Sequence, residues 1–142
     1  MKQRGFDAAS PKTFAIAFPS SRRPWLPPSR PCPREDFLDP GPWTLRTEGG
    51  RVQTPDADPA HLYQDVLVPL DEAKDLNNGS PSLWAELFDV LNVREGEHII
   101  HIGAGRGYYS AILAELGRPA SRLTCIEIEP RLARLASEAL AR

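Results

Sequence analysis

The sequence has little of what would place a chain in a special class. Only two cysteines occur among 142 residues, Cys32 and Cys125, and they lie far apart. A disulfide framework or a thiolate metal cluster needs more thiols at closer spacing, so neither is expected, and no metal is. A reducing, cytoplasmic compartment is the expectation for such sparse thiols. No apolar run approaches the ~20 residues of a membrane span. The longest early run, Phe14–Phe18, is too short for a signal-peptide core and is followed by Pro19. Net charge is only −2, which exerts no global pull on nucleic acid or an anionic membrane. Neither is an expected partner. There are no internal repeats.

What the chain does have is unevenly spread. Residues 1–42 hold nine of the fifteen prolines. Residues 1–34 carry seven Lys/Arg against the single acid Asp7, and residues 35–142 carry ten against eighteen acids. A stretch such as Arg22–Pro33 cannot hold a helix, because each proline removes a donor and restricts its predecessor. Residues 1–34 are therefore expected to be a disordered, basic, Pro-rich tail, and residues 35–142 the folded part. From Pro40 to Asp58 the chain is turn-rich, with at most short strands, and Trp43 and Leu45 are candidates to pack on the domain. Tyr63–Leu70 reads as a short extended segment in which Pro69 marks an edge or an end.

From Ser80 onward the pattern is periodic. A serine, a proline at the first helical position and apolar residues at 83, 84, 87, 88, 90 and 91 predict an amphipathic helix. His98–Ile102 reads as a short buried strand, and Gly103–Gly107 as a glycine turn. Tyr108–Leu116 reads as a helix ended by Gly117, Arg122–Ile128 as a second strand, and Pro130–Ala141 as a third helix. That alternation is the order of an α/β domain with a parallel sheet.

The glycine turn and the acid after it carry the chemistry. Gly103, Gly105 and Gly107 follow a strand and open a helix, so the backbone can turn tightly and its amides can face a ligand. Glu127 stands near the end of the next strand, twenty residues after Gly107, where a carboxylate can accept from both hydroxyls of a ribose. The dinucleotide fingerprint requires a glycine where this chain has Tyr108. The G-x-G-x-G spacing instead resembles that of the S-adenosylmethionine form of the fold. A small NAD-binding domain is disfavoured by Tyr108.

Pro33–Phe37 (PREDF), Tyr63–Asp65 with Pro69 and Leu70, Asn77–Pro81 before a helix, and His101–Tyr108 with Ile126 and Glu127 occur in this order. On these segments, residues from about Pro33 to Arg142 resemble the N-terminal part of the protein-L-isoaspartate O-methyltransferase family. The resemblance implies a Rossmann-like S-adenosylmethionine-dependent methyltransferase fold, truncated after the second strand and its following helix. It implies S-adenosylmethionine as cofactor, held by Gly103, Ala104, Gly105, Gly107, Tyr108 and Glu127. It implies a damaged protein or peptide as substrate, whose isoaspartyl carboxylate displaces the cofactor's methyl group. No strong base is required, because a carboxylate is already ionised at neutral pH. Gly79 stands at the family's active-site serine, so Ser80 and Asn78 become the candidate catalytic residues. Ser82 stands where many members have histidine, and His101 where the cofactor motif often starts with an acid.

Among single residues, Glu129 is expected to cap the third helix, Arg106 to face solvent, and Cys125 to be a buried thiol. His101 reads as a core histidine, Trp84 and Phe88 as core, and the Lys/Arg of the tail as solvated. His61 and His98 show no partner pattern. The alternative to an active methyltransferase is an inactive cofactor-binding remnant or an interaction module. Such a module would complete its sheet with a second copy or a partner chain through the open edge.

Overall fold

In the computed structural model of the protein, residues 32–141 are described. Most of the expected tail lies outside them. Pro33 precedes a 3₁₀ turn at Arg34–Phe37, and Arg34 is only 2% exposed. The solvated charge expected at Arg34 is therefore corrected. Its guanidinium donates Nη1 to the carbonyl of Leu62 at 2.7 Å and Nη2 to that of Val66 at 2.8 Å. Three carbonyls of one loop, those of residues 62, 64 and 66, converge on it.

The turn-rich stretch forms a hairpin of β1 (Thr44–Thr47) and β2 (Gly50–Gln53). A second 3₁₀ turn covers Pro59–Leu62, where the Asp58 carboxylate accepts from Ala60 N. Two very short strands follow, β3 (Pro69–Asp71) and β4 (Leu76–Asn77), paired antiparallel. Pro69 begins its strand, where its missing donor costs no ladder bond. Arg46 and Leu67 bridge the two hairpins.

The helix predicted after Ser80 is α1 (Pro81–Leu91). The Ser80 hydroxyl does not cap it. That hydroxyl donates to Asp65 at 2.8 Å, and the same carboxylate oxygen accepts from Ser82 N at 3.0 Å. Asn92, at φ +47, ends the helix in the left-handed region that asparagine tolerates. The parallel pair is β5 (His98–Ile102) and β6 (Arg122–Ile126), with α2 (Tyr108–Leu116) between them in sequence and α3 (Pro130–Leu140) after them. Glu129 precedes α3, but its side chain makes no cap bond. It pairs with Lys74 instead.

Among the described residues, three α-helices and three two-stranded sheets thus make a mixed α/β fold with two adjoining cores. Leu38, Trp43, Leu45, Leu62, Val66 and Val68 form one core. Phe37, Tyr108, Tyr109 and Ile112 form the other, with Trp84 and Phe88 packed against it. Residues 37 and 38 are consecutive and belong to different cores, so the first 3₁₀ turn joins them. The strand expected to be buried is corrected. In β5 only His101 is fully buried, while Ile100 and Ile102 stand exposed on the face away from α2. Cys125 is likewise exposed. Leu83, Leu87, Val90 and Leu91 leave α1 with apolar side chains on its solvent side too. No helix among the described residues is long and apolar enough to cross a membrane.

Candidate functional site

The glycine turn lies at the carboxyl end of β5, the place where open α/β sheets bind ligands. Gly103, Gly105 and Gly107 all have positive φ, at +76, +56 and +90. Gly103 N and Ala104 N donate to the carbonyl of Ile126, which ties the turn to the end of β6. Glu127 completes the tie. Its Oε2 accepts from Gly105 N at 2.7 Å, and its Oε1 accepts from Glu129 N at 2.9 Å. The carboxylate therefore organises two backbone turns, and each oxygen keeps a lone pair for a further donor.

A cleft of about 170 Å³ opens beside this turn. Gly103, Ala104, Gly105 and Tyr108 line it, and so does Asn78 from the loop before α1. Gly107, Ser80 and Glu127 do not. Gly107 lies behind the turn, where an added Cβ would meet Leu140 at 3.3 Å. Ser80 is committed to Asp65 and also bonds Ser82 Oγ at 2.8 Å. Asn78 is held from both sides of one residue. Its backbone N donates to Val68 O at 3.0 Å, and its Oδ1 accepts from Val68 N at 2.8 Å. That leaves Nδ2 buried and without a partner.

An aromatic wall backs the cleft. Trp84 stacks on Tyr109 with ring centroids 4.4 Å apart and meets His101 edge-on at 5.0 Å. The Tyr109 hydroxyl donates to Gly79 O at 3.2 Å, and Gly79 N donates to Asn77 Oδ1. Burial pushes Tyr108 up to about 12 and Tyr109 higher still, so both stay protonated. Burial lowers His101, with Glu127 opposing, and its Nδ1 shares a 2.8 Å hydrogen bond with Ser110 Oγ.

Several residues of the site carry no signal by type alone. Arg106, expected in solvent, has a side chain only 11% exposed and pairs with Asp39, which also reaches Arg131. Arg34 and His101 line the cleft, and Asp65 caps the helix beside it. Arg34 and Asp65 sit in the PREDF and Tyr-x-Asp segments, which the fold locks together. Tyr63 donates to Glu35 at 2.7 Å, while Arg34 holds the loop on either side of Tyr63. Burial pushes Asp65 up, but bonds from Ser82 and Ser80 and the Arg34 charge leave it below the usual carboxylate range. His61 and His98, expected without partners, bond Asp56 and Thr124. No group of three or more His, Cys, Asp or Glu among the described residues could hold a metal ion.

A family model described as protein-L-isoaspartate(D-aspartate) O-methyltransferase (PCMT) matches residues 53–142. Curated relatives carry the same enzyme name. One from Magnetococcus marinus is 34% identical over 110 residues, covering 78% of this chain and 39% of the relative. One from Aeropyrum pernix is 35% identical over 78 residues, covering 55% and 29%. One from Methanocella arvoryzae is 31% identical over 110 residues, covering 78% and 49%. The chain thus spans less than half the length of each of these relatives. No solved structure matches it.

Proposed function

Because the chain belongs to the protein-L-isoaspartate(D-aspartate) O-methyltransferase family, we propose that its described unit is the cofactor-binding part of a Rossmann-like, S-adenosylmethionine-dependent methyltransferase fold. Its substrate would be the isoaspartyl carboxylate of a damaged protein or peptide. One observation carries this reading: three positive-φ glycines leave β5 and enter α2 beside a cleft, with Glu127 bonded into the turn from the end of β6.

The residues present fit the cofactor. Gly103 has no atom within 4 Å of where a Cβ would stand, so the backbone there is open to a ligand. Gly103, Ala104 and Gly105 would hold it along the turn, Tyr108 would border it, and the remaining lone pairs of Glu127 would take ribose hydroxyls. Bound S-adenosylmethionine would supply an electrophilic methyl group on a sulfonium. The chain's own part is to position and desolvate. Trp84, Tyr108 and Tyr109 exclude water from the cleft wall, and an acceptor carboxylate arrives already ionised, so no side chain must remove a proton. Asn78, not Ser80, is the better candidate for contact with the acceptor, because Asn78 lines the cleft and its Nδ2 has no partner, whereas Ser80 is committed to Asp65. The exposed edges of the β5–β6 pair would take a further strand from a second copy or a partner chain.

Calorimetric titration with S-adenosylhomocysteine tests the reading. Micromolar binding is expected, weakened about tenfold or more in Glu127→Ala through loss of a charge-assisted bond to ribose. A folded chain that binds no S-adenosylhomocysteine would rule the reading out for this chain and leave the interaction module in its place.

A further inference from the structure

The loop before α1 contains an asparagine-glycine pair, Asn78–Gly79. The chain has three asparagines, and the other two precede bulkier residues: Asn77 precedes Asn78, and Asn92 precedes Val93. The carboxamide carbon of an asparagine is open to attack by the backbone nitrogen of the next residue, and glycine obstructs that attack least because it has no Cβ. The fold adds two features at Asn78 that favour the reaction. Its Oδ1 accepts from Val68 N at 2.8 Å, and a donor there stabilises the negative charge that this oxygen gains under attack. Its Nδ2, the group that must leave, has no hydrogen bond to hold it. One contact opposes the reaction: Gly79 N, the attacking atom, donates to Asn77 Oδ1 at 2.9 Å. That is a single neutral hydrogen bond between half-buried residues, the weaker kind of restraint.

We propose that Asn78 is a modification site, at which the folded chain deamidates spontaneously through a succinimide shared with Gly79. Hydroxide takes the proton of Gly79 N, which forms a bond to Asn78 Cγ. The Cγ–Nδ2 bond breaks, and Nδ2 leaves as ammonia with a proton from water, which restores the hydroxide. The ring then takes one water. Opening at Cγ leaves aspartate, and opening at the backbone carbonyl of residue 78 leaves isoaspartate, with the main chain running through Cγ. Either product puts a carboxylate into a cleft lining that holds no other aspartate or glutamate. Isoaspartate also lengthens the main chain by one carbon, about 1.5 Å. Gly79 must then move, and its carbonyl accepts from the Tyr109 hydroxyl at 3.2 Å, so the change reaches the aromatic wall. The site stands apart from the methyl-transfer reading. Only one consequence rests on that reading: the new charge would repel an acceptor carboxylate.

The test keeps the full chain folded at mildly alkaline pH for days, beside a sample unfolded in urea, and reads both by peptide mass spectrometry. Fragmentation that cleaves the main chain at residue 78 locates the amide-to-acid mass gain and separates isoaspartate from aspartate. In the folded sample the gain at Asn78 should be about tenfold or more faster than at Asn92, with isoaspartate among its products. Asn77→Ala releases Gly79 N from its acceptor and should quicken the gain further. An Asn78 that stays intact in the folded sample while it converts in urea would overturn the proposal, because the fold would then protect the pair. Equal rates at Asn78 and Asn92 in the folded sample would overturn it too. Neither readout depends on S-adenosylhomocysteine, so a chain that converts without binding it would keep this inference and sink the methyl-transfer reading. A chain that binds it with Asn78 intact would do the reverse.

Discussion

At Gly79 the backbone sits at φ +78, and an added Cβ would lie 2.5 Å from Trp84 Nε1. A serine side chain therefore does not fit this backbone at position 79. Gly79→Ser should destabilise it by about 2 kcal/mol or more, part from the left-handed backbone and part from the displaced indole. Urea denaturation measures this, and an unchanged midpoint would mean that Trp84 is not held where it is seen. Arg34→Met removes the shared donor of three carbonyls, so at least about 3 kcal/mol should be lost by the same measurement. His101 gives the pH dependence. Burial holds it below its usual pKa of 6.5, so the unfolded chain takes up a proton that the folded chain refuses. Its stability contribution is full above that value and is lost as pH falls through it toward the lower folded pKa. Unfolding midpoints at about pH 8 and about pH 5.5 should differ, and His101→Gln should narrow the difference.

Elements here are held by residues distant in sequence. The first turn of α1 is capped by Asp65, fifteen and seventeen positions before the groups it accepts from. Asp65→Ala should cost about 1 kcal/mol, as a lost N-cap does. Hydrogen exchange should show faster exchange at the Ser82 amide, with the α2 amides unmoved. The glycine turn is similarly clamped by Glu127 from β6 and by Arg106 through Asp39. Local rules located these elements well. Proline at the start of α1 and α3, the glycine at the end of α2 and the strand-turn-helix order are all short-range signals. They misassigned the caps: Ser80 is a good cap type whose hydroxyl is drawn to Asp65, and Glu129, an acid before Pro130, pairs with Lys74.

For the whole molecule, the parallel pair is the exposed part. Ile100, Ile102, Ile126 and Ile128 lie uncovered, with Ile102 75% and Ile128 89% exposed. Such a contiguous apolar face is more than a soluble surface usually leaves open. The chain should bind an environment-sensitive hydrophobic dye in its folded state. Replacing Ile102 and Ile128 by threonine should lower that signal without lowering the unfolding midpoint, since these side chains bury little. Strand burial could not be inferred from apolar runs alone. An Ile-rich run such as His98–Ile102 reads as covered on both faces, but among the described residues α2 and Trp84 of α1 cover only the His101 face.

The sequence by itself determined the element order from Ser80 onward, the glycine turn with its spaced acid and the family, because these depend on neighbours in the chain or on a fixed count of residues. Only the tertiary structure decided that Arg34 is buried, that Asp65 caps α1 and that Asn78 rather than Ser80 lines the cleft. Each of those outcomes depends on a partner that no periodicity encodes, met across a loop closure. A polar residue's role follows from which of its atoms remain unpaired after folding. That is a property of the packed molecule and not of the residue type.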